Sequence, residues 1–206
     1  MRLNSIFKRA APVALFALAG LPVFGSGLTI DVGYADNYRV GPNFPNPWQG
    51  SPGVTFIGKS NGGVFDTGAL LFINSGTTDI TVSDVTVDGF ANGASYDLWG
   101  SFIVAAGQDV ILAQTNGYNF DTSDNGGGPN SHPQALVTIG GVQTAYVDSG
   151  HVLDTGQTDP GAMGINESLQ WRQIGTSSVP EPGTMALCGL GLMGLAGFIG
   201  KRRASR

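Results

Sequence analysis

Between residues 69 and 148 apolar and polar side chains alternate in short runs, and no stretch of 28–178 sustains an apolar period of 3.6. Ile80-Thr-Val-Ser-Asp-Val-Thr-Val-Asp88 puts Ile80 and Val82 on one face, slips at Asp84, and resumes with Val85 and Val87. A period of two sends successive side chains to opposite faces of a strand. A one-residue slip marks a β-bulge. The same reading predicts strands over 69–74, 96–104, 109–114, 134–139 and 142–148, divided by Gly-Asn, Asp-Gly and Gly-Gly pairs. Ala106-Gly107-Gln108-Asp109 reads as the turn of a hairpin. Gly41-Pro-Asn-Phe-Pro-Asn-Pro47 reads as a rigid extended loop, because proline cannot donate to a ladder. Antiparallel strands spaced roughly 8–15 residues apart predict an all-β body, a β-sandwich of immunoglobulin-like or jelly-roll type.

The pattern changes at both ends. Arg2, Lys8 and Arg9 precede an apolar run from Ala10 to Phe24, and small residues come after it. That order predicts a secretory signal over 1–27, cut after Gly25 or Gly27. At the far end, Thr184 to Gly200 holds 17 residues without a charge. As a helix it is about 25 Å long, close to a hydrocarbon core of about 30 Å, so it is expected to span a membrane. Lys201, Arg202 and Arg203 then hold that end on the cytoplasmic side. Pro180 and Pro182 keep Glu181 in an extended segment outside the bilayer. The body expected between these ends is 28–178. The lone cysteine, Cys188, lies in the tail, so the body has no disulfide of its own.

Pro180-Glu181-Pro182, a short apolar helix and a basic cluster, in that order, resemble the PEP-CTERM sorting tail over Val179–Arg206. The resemblance implies a sorting motif at Pro180, Glu181 and Pro182 and a membrane-stop cluster at Lys201, Arg202 and Arg203. It also implies a partner, the membrane protease-transpeptidase called exosortase, which recognises and cuts such tails in bacteria that make exopolysaccharide and biofilm. The chain would be exported through the inner membrane, anchored there transiently, then passed to the cell surface or beyond. Asn46-Pro-Trp-Gln-Gly50, Asp97-Leu-Trp-Gly100, Asn119-Phe-Asp-Thr-Ser-Asp124 and Asn166-Glu-Ser-Leu-Gln-Trp171 are similar to an extracellular bacterial module that accompanies these tails, one with no activity attached.

Charge sharpens this division. The chain carries −5 overall, but 28–178 holds three basic residues (Arg39, Lys59 and Arg172) against fourteen acidic ones, a net of −11. An acidic body excludes nucleic acid as a partner, since phosphate binding needs a basic face.

Candidate chemistry in the body is sparse. Asp121, Ser123 and Asn125, with Gly126 next in the chain, match the opening of a calcium loop, with hard oxygen donors at alternate positions. The twelfth position is His132 instead of the bidentate glutamate, and a loop of Asx turns is the favoured reading. Trp48, in the proline-rich loop, is the candidate platform for a sugar ring, whereas Trp99 is expected in the core. Asn166 and Glu167 are candidates for a site near Trp171; the favoured alternative is a closing strand with Trp171 in the core and Arg172 paired with an aspartate. His132 and His151 belong to no hydrolase or metalloprotease motif, and no pair of aspartates stands out as a glycosidase pair. The expectation is a non-enzymatic exported protein with a structural or adhesive role and no cofactor. The alternative is an exopolysaccharide-binding module assisted by calcium.

Overall fold

The structure is a computed structural model and describes residues 26–39, 41–125, 129–154 and 166–179. The signal residues before Ser26, the Pro180–Pro182 motif, the 184–200 span and the Lys201–Arg203 cluster lie outside the described residues. No helix among the described residues is long and apolar enough to cross a membrane.

Among the described residues ten strands form two sheets: β1 (Ser26–Asp36), β2 (Val54–Ile57), β3 (Asp66–Asn74), β4 (Ile80–Asp88), β5 (Tyr96–Trp99), β6 (Phe102–Val104), β7 (Asp109–Leu112), β8 (Gln134–Ile139), β9 (Val142–Val147) and β10 (Leu169–Val179). The first sheet runs β10-β1-β3-β7-β2. The second runs β5-β4-β8-β9, with β6 also on β4. Alternation builds the core between them. Leu28, Ile30, Val32, Leu70, Phe72, Val110 and Leu112 point inward from the first sheet, and Val82, Val85, Val87 and Val137 answer from the second. Burying a side chain of this size contributes about 1.5–3 kcal/mol.

The expected all-β body with two sheets is present, and the slip in β4 is real: its register against β8 shifts between Val82 and Asp84. That bulge also explains why 96–104 is two strands instead of one. Val85 pairs with Trp99 and Val82 with Phe102, so Gly100 and Ser101 lie opposite Ser83 and Asp84, where the ladder is broken. The turn at 106–109 does not close a hairpin. β6 belongs to the second sheet and β7 to the first, so the chain crosses between layers there. Asn74 fixes the crossing: its carbonyl accepts from Gly107 N and its Nδ2 donates to Val104 O. Nor are all strands antiparallel, because β2 runs parallel to β7.

β3 is buried on both faces, as expected where a sheet is covered twice. The loop 41–53, a loop as its prolines require, lies on the outer face of the same sheet, where Trp48 stacks on Trp171 and Trp171 on Gly33 of β1. There Phe44, Trp48, Phe56, Phe65 and Trp171 form an aromatic cluster outside the main core. Trp171 lies on Gly33, where an added Cβ would come within 2.8 Å of the indole ring. Its Nε1 donates to Pro47 O at 2.9 Å. Trp99 instead sits in the core, 3% exposed, and reaches across the sandwich to donate to Ala113 O at 2.9 Å.

β10 closes the first sheet against β1, from Ser26↔Val179 to Tyr34↔Leu169. Ser26 and Val179 thus lie side by side, and both ends of the described body leave at one pole. The other end of β1 is about 33 Å away at about 3.3 Å per residue. On the open side, Tyr146 of β9 packs on Gly175 of β10, where a Cβ would collide with the phenol ring. Gly175→Val should therefore lower the unfolding free energy by about 1–3 kcal/mol, the cost of overpacking. Urea denaturation checks this, and Gly27→Ala, whose nearest neighbour is Ser75 Oγ at 3.7 Å, is the tolerated control.

Candidate functional site

At the pole away from Ser26 and Val179, four segments bring charge into the interior. The end of β1 supplies Tyr34 and Asp36, and the loop after it supplies Arg39. The start of β3 supplies Asp66, and the residues entering β10 supply Glu167. The loop after β7 adds Asp121 and Ser123, the latter in a single 3-10 turn over Ser123–Asn125. Asp36, Asp66 and Glu167 are buried, and oxygens of all three lie within 4.8 Å of one another.

Three buried carboxylates so close would repel strongly in a low dielectric. Arg39 compensates. Its Nη1 lies 2.8 Å from Asp36 Oδ2, 3.4 Å from Glu167 Oε2 and 3.5 Å from Asp66 Oδ2. Among the described residues these three are the group that could hold a divalent cation, but the guanidinium stands among the same oxygens. The chain supplies its own cation.

The backbone fixes this geometry. Asp36 Oδ1 accepts from Tyr38 N and Arg39 N, curling the chain so that Arg39 turns back over Asp36. Asp36 Oδ2 accepts from Glu167 N. Asn166 Nδ2 donates to Asp36 O and Arg39 O, and Ser168 Oγ donates to Asp36 O. Asn166-Glu167-Ser168 is therefore a clasp on the β1 end as well as the start of the closing strand.

Tyr34, fully buried, extends the cluster. Its Oη is 2.8 Å from Asp66 Oδ1, 2.7 Å from Asp121 Oδ1 and 3.1 Å from Ser123 Oγ. Ser123 Oγ is in turn 2.9 Å from Asp121 Oδ1 and 3.4 Å from Glu167 Oε2. A phenol has one proton to give and here meets two carboxyl oxygens. Tyr34 Oη donates to Asp66 while that group is a carboxylate; as pH falls through about 6, Asp66 gains a proton and the set is completed. Asp66 then donates to Tyr34, Tyr34 to Asp121, and Ser123 to Glu167. Burial pushes the Asp66 carboxyl up to about 6, against the hydrogen bond from Tyr34, which lowers it; the Asp121 and Asp36 charges add to the rise and Arg39 opposes it. Burial likewise pushes the Tyr34 phenol upward, so it stays protonated.

The residues singled out from the sequence fall elsewhere or are engaged by protein. Asp121 and Ser123 join the Tyr34 network. Asn125 faces another way: its Nδ2 donates to Tyr96 Oη at 2.6 Å and its Oδ1 accepts from Asn92. Trp48 is half-buried, ringed by Phe44, Phe56 and Phe65 and stacked on Trp171 with centroids 6.0 Å apart. Trp171 belongs to that outer cluster and not to the main core. Arg172 is exposed and packs on Gly150. His132 is exposed; His151, at φ 53°, places Nδ1 2.9 Å from Asp154 Oδ1. Arg39, Asp36 and Asp66 belong to no motif in the sequence. The signal was there in Arg39, one of three basic residues in a body with fourteen acidic ones.

The body ends at Val179, on the last rung of the closing strand, and the chain from there onward matches a known family. Residues 178–203 match the PEP-CTERM protein-sorting motif. The chain carries a PEP-CTERM sorting tail. Such a tail is the recognition element of a processing enzyme of the exosortase type, and it implies export to the cell envelope or surface. The match covers 26 residues and begins inside β10, at Ser178. No curated protein and no solved structure matches the chain.

Two outcomes test the polar cluster. Arg39→Met removes the cation and leaves buried carboxylates uncompensated, so the body should lose about 3–5 kcal/mol, read by urea denaturation near neutral pH. The second outcome concerns pH. A proton binds Asp66 more tightly in the folded chain than in the unfolded one, where its pKa is near 3.8. Its contribution to stability is complete below that value and is lost as pH rises through about 6. Denaturation midpoints taken across this window should fall for the natural chain and fall less for Asp66→Asn.

Proposed function

We propose that the protein is an exported, non-enzymatic surface protein whose β-sandwich serves a structural or adhesive role in an extracellular matrix. One observation carries the reading. The pairing Ser26↔Val179 sets the entrance and the exit of the body at one pole, and the sorting motif begins within the last rungs of β10. The opposite pole, with the Arg39 cluster, then faces away from the end at which the tail leaves the body. The cluster supports a structural role, because its acids are held by the protein's own guanidinium and backbone amides. Trp48, the candidate sugar platform, packs against other aromatic rings, so the reading does not draw on it.

The same geometry bears on processing. Ser26 and Gly27 each take a rung opposite Val179 and Ser178, and Gly27 O accepts from Ser75 N. A signal cut after Gly25 leaves these rungs whole, so the mature chain should begin at Ser26. A sorting cut beyond Val179 leaves β10 whole, and the surface form should lack the residues beyond roughly Pro182. Mass spectrometry of the terminal peptides of surface protein checks both. Replacing Pro180, Glu181 and Pro182 with alanine should leave the fold unchanged and make full-length precursor accumulate in the inner membrane. A surface form that retains Cys188 would overturn the sorting account.

A further inference from the structure

Most sheet edges of this protein are blunted in ways that discourage pairing with another chain. β10 carries Arg172 and two register shifts against β1. β2 and β5 are four residues each, and β5 carries Asp97 and a shifted register on β4. β9 has none of these features. Val142-Gln-Thr-Ala-Tyr-Val147 has no charge and no proline, and pairs with β8 through six consecutive rungs without a shift. Five of its six residues are exposed, Val142 by 67% and Val147 by 49%. Among the described residues β9 pairs with β8 alone.

The direction of its free groups is set by one bond. Asp148 N donates to Pro133 O, across the β8–β9 ladder. In an antiparallel pair such bonds recur at every second residue, so 146, 144 and 142 also face β8. The N–H and C=O groups of Gln143 and Ala145 and the N–H of Val147 point away from it, whereas Val147 O accepts from Ser149 N at 3.0 Å. Behind this edge, between β9 and β10, lies an open groove of about 370 Å³ lined by Val137, Ile139, Val142, Tyr146 and Thr176.

We propose that β9 pairs antiparallel with β9 of a second copy of this chain, joining their second sheets into one. Charge selects the occupant. β9 itself carries no charged side chain, so neither an acidic nor a basic segment finds a counter-charge along it. The strand that fits is uncharged, β-prone and six residues long, and the chain itself presents one. A two-fold axis through Ala145 sets Ala145 opposite Ala145 and Gln143 opposite Val147 on each side. About four hydrogen bonds then form outright, two across the Ala145 pair and one from each Val147 N to the other copy's Gln143 O, and each Gln143 N shares the other copy's Val147 O with Ser149 N. This register also keeps Val142, Thr144 and Tyr146 of both copies on one face, with each Tyr146 opposite the other copy's Thr144. The two grooves then adjoin.

The test uses the full chain in detergent, with sedimentation velocity over a concentration series. A dimer is expected. Ala145→Lys places two like charges face to face on the axis and should weaken association at least about tenfold, while Gln173→Lys on the exposed β10 edge should not. Far-ultraviolet circular dichroism confirms that each variant is folded. If Ala145→Lys does not fold, Ala145→Cys in a Cys188→Ser chain decides instead. It should form a disulfide-linked dimer under mild oxidation, because the axis sets the two residues directly opposite, at about 5.5 Å between Cα atoms. Gln173→Cys should not. A monomer at every concentration overturns the proposal. So does a dimer that keeps its strength in Ala145→Lys, which is the result expected if the 184–200 segment drives association.

Discussion

The rest of the structure depends on where β1 lies. Among the described residues it is the only strand that pairs with β10, and its other neighbour is β3, the strand buried on both faces. Leu28, Ile30 and Val32 supply its core face, while Gly33 leaves room for Trp171 on the other. One end of β1 brings Ser26 beside Val179, where the chain passes into its sorting tail. The other end carries Tyr34 and Asp36 into the ionic cluster. The strand therefore links the two poles of the body, and a loss of its pairing would loosen both.

The ionic pole shows how an acidic protein can bury acids. Hydrophobic burial supplies the stability of the sandwich, and the cluster works against it unless every charge is met. Arg39 meets three carboxylates through one nitrogen. Backbone amides of the 36–39 turn and of Glu167 share Asp36. Tyr34 donates to Asp66, and burial lifts that carboxyl to about 6, so a proton joins the cluster only in mildly acidic solution. Such an arrangement stabilises little in total, because desolvation offsets the attraction. It does specify geometry, since Asn166, Glu167 and Ser168 each bond Asp36, and Asn166 also bonds Arg39. That is the work of a structural lock, and it gives the closing strand a fixed starting point.

Alternation makes much of this legible in the sequence. The strands at 134–139 and 80–88, with the bulge at Asp84, come from a period of two and nothing else. Sheet membership does not. The turn at 106–109 has hairpin chemistry, yet the chain crosses between layers there, because each strand's partner is decided by long-range packing. β1 is hidden for another reason: its first residues are small and adjoin the apolar signal, so they read as a cut site and not as the start of a strand. Trp48 was placed by its loop alone, and the covering of the outer sheet face by that loop is a tertiary fact. The cluster was half visible. Glu167 and Asn166 stood out as polar neighbours, but Asp36 and Asp66 look like any of the other aspartates. Only the scarcity of arginine marked Arg39.

The claim on which the account rests is that β10 is a full partner of β1 up to the residue at which the tail begins. Amide hydrogen exchange of the full chain, read peptide by peptide, tests it most directly. Peptides from 173–178 should be protected together with 28–32 and 70–73, as one cooperative unit. If 173–178 exchange as a free segment while 28–32 and 70–73 stay protected, β10 does not close the sheet, and the entrance and exit of the body do not share one pole.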